Sequence, residues 1–248
     1  MAGPRLSVNV NKIATLRNSR GGALPSVVDA VRVCIAAGAR GITVHPRADA
    51  RHITPYDVAA VASYLAPRRG EVEFNIEGDP RPDLLDMVRE VRPHQCTLVP
   101  VMPGEVTSQA GWPADTRAAL GGVVRDLRSR GIRVSLFIEP DAAAVKWAAS
   151  LGADRIELYT EPFAQAFKAG EDAADRSFRP YVEAANLAHA LGLGINAGHD
   201  LDLHNLVLFR TLPHLDEVSI GHALISHALY VGLDQAVRDY LRACGTTP

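Results

Sequence analysis

The sequence predicts an α/β fold: a single (β/α)8 TIM barrel, eight parallel strands ringed by helices. Three observations predict it. Short apolar runs alternate strictly with helical patterns, eight times over. The helix-to-strand joins repeat a glycine stop, as in Ala37-Gly38-Ala39, Arg130-Gly131-Ile132, Leu151-Gly152-Ala153 and Leu191-Gly192-Leu193. The 248 residues suit a barrel of roughly 250, and no linker or shift in composition divides them. Residues 1–248 are therefore expected to form one catalytic domain.

The elements follow in order. Leu6 to Val10 alternates as a strand, and a loop containing Gly and Pro is expected from Arg17 to Pro25. Ser26 is placed to cap a helix through Ala37, which Gly38 ends. Gly41 to Val44 is the second strand. Thr54-Pro55 has the cap-then-proline order of a helix start, and that helix reaches Leu65. Val72 to Ile76 and Gln95 to Val99 read as strands around a helix from Pro82 to Val91. A long loop precedes a helix from about Asp115 to Arg130, and Arg133 to Ile138 is strand five. Asp141 opens a helix to Leu151, and Arg155 to Tyr159 is strand six. A second long loop leads to a helix starting at Pro180, then Gly194 to Ala197 as strand seven. A helix from Leu203 to Leu212, a strand from Glu217 to Ile220 and helical pattern from Ala223 complete the chain. Val, Ile and Leu dominate the strands, as expected where helices cover the sheet. An open doubly wound sheet would favour a GxGxxG turn after strand one, where this chain has Asn9-Val10-Asn11-Lys12.

Hydrophobic residues make up 47% and charged residues 22%, with a net charge of −2 and no basic cluster, which argues against a nucleic-acid partner. Cys34, Cys96 and Cys244 are odd in number and far apart, so neither a disulfide framework nor a CxxC knuckle is expected. The first residues lead straight into a strand pattern, and no run approaches the roughly 18 apolar residues of a membrane span. A soluble, cytoplasmic protein is expected.

In such a barrel the active site lies at the carboxyl ends of the strands. There the apolar runs stop and polar residues begin: Asn9, then His45 with Arg47 and His52, Glu77, Glu139, Glu157 and Thr160, Asn196 to His199, and Gly221-His222. Each has a plain alternative. A histidine after a strand is often only a hydrogen-bonded turn residue, Glu77-Gly78-Asp79-Pro80 can be a bare turn, and Glu139 and Glu157 can be ion-pair partners. Arg20 and Arg47 can be surface cations. Convergence favours function, because the fold brings His45, Glu77, His199 and His222 to one mouth. Histidines and shielded carboxylates suit proton transfer near neutral pH. Arg20, Arg47 and His52 offer donors for phosphate, and Gly198, Gly221 and the last helix start are placed for a second anion site.

Longer motifs go further. Val8 to Gly21, Gly41 to Arg47, Arg51 to Thr54, Asn75 to Gly78, Leu98 to Pro100, Glu105 to Thr107, Val134 to Ile138, Asn196 to His199 and Ile220 to Ala223 occur in order along nearly the whole chain. In these the chain resembles the pyridoxine 5′-phosphate synthase family. The resemblance implies condensation of 3-amino-2-oxopropyl phosphate with 1-deoxy-D-xylulose 5-phosphate to pyridoxine 5′-phosphate, phosphate and water. It implies a transferase-type synthase of vitamin B6 biosynthesis that forms a homo-octamer and uses no metal or organic cofactor. By that resemblance His45 and Glu77 are proton acceptors and His199 a proton donor. Asn9, Arg20, Gly221 and His222 match contacts to the amino-ketone phosphate. Arg47, His52 and Thr107 match contacts to the deoxyxylulose phosphate, as do positions Asn11 and Lys12, where many members carry Asp-His. Asp200 stands where some members have glycine, and Tyr159 where some have histidine. The segment from Met102 to Pro113 is the expected lid.

Two other readings stay open on the residues alone. His45, Glu77 and His199 are of the right types to hold a divalent ion in a metal-dependent barrel aldolase or isomerase. A phosphometabolite sensor is the second, though binding alone does not call for clustered titratable groups.

Overall fold

The computed structural model describes residues 3–100, 110–114 and 117–246. Strands β1 (Arg5–Asn9), β2 (Gly41–Val44), β3 (Glu73–Gly78), β4 (Gln95–Leu98), β5 (Arg133–Ile138), β6 (Arg155–Leu158), β7 (Gly194–Ala197) and β8 (Leu215–Ile220) pair in parallel in chain order. β8 closes on β1, Leu6 opposite Val218 and Val8 opposite Ile220, so the sheet is a barrel without edges. The helices are α1 (Asn11–Asn18), α2 (Val27–Ala36), α3 (Pro55–Leu65), α4 (Pro82–Val91), α5 (Arg117–Ser129), α6 (Ala142–Ser150), α7 (Glu161–Lys168), α8 (Glu171–Ala190), α9 (Leu206–Phe209), α10 (His222–Val231) and α11 (Leu233–Ala243).

The caps form where the sequence places them. Ser26 Oγ accepts from Asp29 N at 3.2 Å. Thr54 and Asp57 form a reciprocal capping box behind Pro55, and Asp141 accepts from Ala143 N and Ala144 N at 2.8 and 2.9 Å. Gly38, Gly131, Gly152 and Gly192 all have positive φ, which explains the repeated glycine stop.

The strands do not read as uniformly apolar ribbons. They alternate. Leu6 and Val8, Ile42 and Val44, Phe74 and Ile76, Val134 and Leu136 pack outward into one core with Val31, Val58, Val61, Leu84 and Val124 of the helices. Burying each such side chain contributes about 1.5–3 kcal/mol, so this layer holds helices to sheet. The residues between them face the lumen and bond one another. Ser7 Oγ lies 2.8 Å from Thr43 Oγ1, Asn75 Nδ2 donates to Thr43 Oγ1 at 3.4 Å, and Thr97 Oγ1 donates to Asn75 Oδ1 at 3.1 Å. Below them Arg155 donates to Asn196 Oδ1 at 3.0 Å and Arg133 to Gln95 Oε1 at 2.9 Å, while Glu73 takes both Arg5 and Arg133.

Three expectations on the elements are corrected. The segment after strand one is helical from Asn11 to Asn18, and the loop begins only after it. Val10 provides no side-chain cap, so no local signal marks this start. Instead Asn9 Oδ1 accepts from Asn11 N at 3.1 Å, and Ile13 and Ala14 are buried. The second long loop is two helices, α7 and α8, and Pro180 lies inside α8 rather than opening it. Buried Ala174, Tyr181, Ala184, Ala185 and Ala188 anchor α8 on both sides of the proline, so packing overrides the local breaker. The Leu203 to Leu212 helix shrinks to α9, because Asp202 and Asn205 spend their side chains on turn amides just before it.

Candidate active site

A cavity of about 460 Å³ opens at the carboxyl ends of the strands, where the barrel rule expects it. His45, Glu77 and His199 all line it, together with Asn9, Asn11, Lys12, Arg47, His52, Asp200, Gly221 and His222. Arg20 does not. It is exposed in the turn beyond the end of α1. Thr107 lies outside the described residues, as does the expected lid except for residues 110–113.

The floor is built from three strand ends. His45 follows β2, and Glu77 sits in β3 itself, so Glu77-Gly78 is strand and not a bare turn. Asn9 Nδ2 donates to Glu77 Oε2 at 3.4 Å, and His45 Nδ1 lies 3.9 Å from the same oxygen. Asn11 Oδ1 accepts from His45 N at 2.9 Å and so pins the end of β2. Burial raises the Glu77 carboxyl well above the usual carboxylate range, and the charges of Glu157 and Glu217 add to this. Burial also holds the His45 imidazole down at about 3, helped by His52, Arg47 and Arg81. Burial thus favours the neutral form of each partner in this 3.9 Å contact. His45 Nε2 is buried without a partner, an orphaned polar atom at the wall of the cavity.

One rim is cationic. Lys12 and Thr15 come from α1, and Arg47, Arg51 and His52 from the loop after β2. His52 Nδ1 accepts from Ile53 N at 2.9 Å, which leaves Nε2 to carry the proton of the neutral ring. Burial, then Lys12 and Arg47, lowers that imidazole to about 4. The other rim is made of backbone. Gly198, Ser219 and Gly221 precede α10, whose first-turn amides have no partner within the helix. Glycine is required at 198, since a Cβ there would collide with the main-chain oxygen of Ser219. His199 Nδ1 lies 3.0 Å from Asp200 Oδ2, and its ring meets Tyr159 and Phe137 at 5.3 and 6.2 Å. Asp200 has φ +64, a left-handed conformation that glycine adopts freely and aspartate tolerates, which reconciles the two residue types at this position.

Sequence reading did not single out Thr15, Val99, Phe137 or Ser219 as lining residues. Glu157 was open between an ion pair and a functional role. Its Oε2 is buried with no hydrogen-bond partner, and burial with the Glu217 charge raises its carboxyl. Its place two residues before Tyr159, on the lumen-facing period of β6, is the signal that marks it. Glu139 turns away to accept from Gly111 N at 2.9 Å. Among the described residues, no three His, Cys, Asp or Glu side chains converge in a way that could hold a metal ion.

The family described as pyridoxal phosphate biosynthesis protein PdxJ matches residues 6–246. The chain belongs to the PdxJ family. Relatives of this PdxJ chain called pyridoxine 5′-phosphate synthase occur in Bacteroides fragilis, 51% identical over 95% of this chain and 97% of that one, and in Leptospira biflexa, 50% identical over 96% of each. The synthase of Porphyromonas gingivalis is 52% identical over 95% of this chain and 97% of its own. Among solved structures, phosphoribosyl anthranilate isomerase from Thermotoga maritima superposes with a TM-score of 0.60 over 98% of both chains at 11% identity. That likeness shows the barrel alone. The matched residues include both rims of the cavity, from Asn9 to His222.

Proposed function

We propose that this chain is a pyridoxine 5′-phosphate synthase, condensing 3-amino-2-oxopropyl phosphate with 1-deoxy-D-xylulose 5-phosphate. The observation that carries the reading is one cavity with Glu77 and His45 3.9 Å apart on its floor, between a rim of cationic side chains and the start of α10. Two phosphorylated substrates need two anion sites, and these two rims suit them. Lys12, Arg47, Arg51 and His52, with Asn11 behind them, take the ketose phosphate. Gly221, His222 and the α10 amides take the amino-ketone phosphate, with Asn9 and Asp200 alongside. Arg20 and Thr107 are assigned on the resemblance alone.

The amine attacks the ketose carbonyl, and Glu77 and His45 shuttle protons as water leaves and the imine becomes an enamine. Phosphate dianions at both rims make His45 more basic than in the empty site, so it accepts the proton that turns imine into enamine. His199, held by Asp200, donates to the ketose phosphate as it leaves. Water adds to the unsaturated chain, the enamine carbon closes onto the second ketone, and dehydration makes the ring aromatic. Each acid–base group is worth about 10²–10⁴ in rate.

The chain works as one domain without metal or organic cofactor and assembles as a homo-octamer. Leu229, Tyr230 and Val231, large apolar side chains exposed at the end of α10, support an assembly. A cytoplasmic location fits: among the described residues no helix is long and apolar enough to cross a membrane.

The test mixes protein and both substrates, with and without exhaustive chelation, and follows pyridoxine phosphate by absorbance. Turnover is expected in both cases. Glu77→Gln should lose at least about 10²-fold while binding product in calorimetry. No turnover by the unaltered protein, or near-normal turnover by Glu77→Gln, refutes the reading.

A further inference from the structure

The synthase reading leaves one substrate group without a partner. The polar lining offers partners for phosphates, hydroxyls, ketones and amine, but the ketose also carries a methyl. Among the described residues lining the cavity, Val99 and Phe137 alone have apolar side chains; the rest are polar, charged or glycine. With Tyr159 they form an apolar cluster separate from the main core. The cluster is held firmly. Val99 N donates to Gly78 O at 3.0 Å, Trp112 N donates to Phe137 O at 2.9 Å, and the Phe137 and Tyr159 rings meet edge to face at 5.5 Å.

Topology places this wall where the methyl must arrive. In the product ring, the carbon bearing the methyl is para to the carbon bearing the phosphorylated arm. A phosphate held at the start of α10, just past β8, therefore points the methyl straight across the barrel. In a closed barrel ordered β1 to β8, β4 is opposite β8, and Val99 is the residue that follows β4. Phe137 stands beside it on β5.

We propose that Val99 and Phe137 seat the ketose methyl and set a preference for a 1-deoxyketose phosphate over the ketose phosphate that carries a hydroxyl at that carbon. The inference rests on the synthase reading. A hydroxyl entering this seat gives up its water and finds no donor or acceptor on either side chain. An apolar pocket rejects an added hydroxyl by roughly 10².

The experiment measures kcat/KM for both ketose phosphates with the unaltered protein, Val99→Thr and Phe137→Leu, each checked for folding by thermal melting. The unaltered protein should favour the methyl ketose by roughly 10². Val99→Thr, equal in shape but bearing a hydroxyl, should narrow that ratio by about tenfold or more. Phe137→Leu, which opens the seat, should narrow it as well and serves if Val99→Thr does not fold. Turnover with the same ratio in the folded variants overturns the inference and leaves the synthase reading intact. No turnover of either ketose by the unaltered protein overturns both.

Discussion

Replacing Asp57 with alanine tests how the cavity walls are held together. Asp57 Oδ2 accepts from Arg17 Nη2 at 2.9 Å and from Thr54 N and Thr54 Oγ1, both at 2.8 Å, while Oδ1 takes Arg17 Nη1. Arg17 Nη2 and Asn18 Nδ2 also donate to His52 O, at 3.4 and 2.9 Å. This cluster ties α1, which carries Lys12 and Thr15, to the loop that carries Arg51 and His52. The Asp57 side chain is 5% exposed and that of Arg17 13%. Removing one partner of a buried pair costs about 3–5 kcal/mol, and the residual exposure of Arg17 puts this pair at the low end. The lost reciprocal cap adds about 1 kcal/mol, giving about 4 kcal/mol in all. For a domain of this size that lowers Tm by roughly 10 °C. Arg17→Met in the same chain removes the orphaned charge, so the double variant should be more stable than Asp57→Ala alone. Burial pushes the Asp57 carboxyl up, but Arg17 and Thr54 outweigh it and the net shift is down. A carboxyl lowered by folding contributes fully above its unfolded value of 3.8 and loses that contribution as pH falls further, so the gap between unaltered protein and Asp57→Ala should close in acid. Urea unfolding followed by tryptophan fluorescence, with buried Trp147 as reporter, measures these differences. A loss under about 1 kcal/mol, or a double variant no better than the single, would refute the argument.

Two further outcomes are expected. Nitrogen-15 NMR of the imidazoles should find His45 and His52 neutral down to about pH 5, since burial lowers them to about 3 and 4; a midpoint near the ordinary 6.5 for either would show that water reaches that ring. Gly198→Ala forces a Cβ into the Ser219 carbonyl, so the β7 and β8 ends must part at a cost of about 1–3 kcal/mol. Affinity for inorganic phosphate, read by calorimetry, should fall with it, and unchanged affinity would remove that loop from the anion site.

Much of the barrel was legible because its signals are local. Ser26, Thr54 and Asp141 cap in the way their side chains dictate, and the glycines that end α2, α5, α6 and α8 adopt a backbone few other residues take. What was not legible depends on tertiary contact. The start of α1 is marked only by Asn9 reaching forward, and Pro180 is carried inside α8 by packing on both sides. Among the residues lining the cavity, His45, Glu77 and His199 stand out in the sequence as titratable groups at strand ends. Val99 and Phe137 look like ordinary apolar strand residues, and only closure of the barrel turns them toward the cavity. Glu157 is legible once the period of two is followed from Arg155 through β6 to Tyr159 just beyond it.

The alternation of polar and apolar residues along each strand also bears on how the chain finds its pairing. In a parallel sheet apolar on both faces, sliding one strand by a single residue exchanges like for like and is weakly opposed. Here the same slip swings Ser7, Thr43, Asn75 or Glu157 out among the leucines and valines of the helix layer, and drives Ile42 or Ile156 into a lumen of hydrogen-bonding groups. Misaligned barrels are thus penalised strand by strand, and the polar interior acts as a proofreader of register.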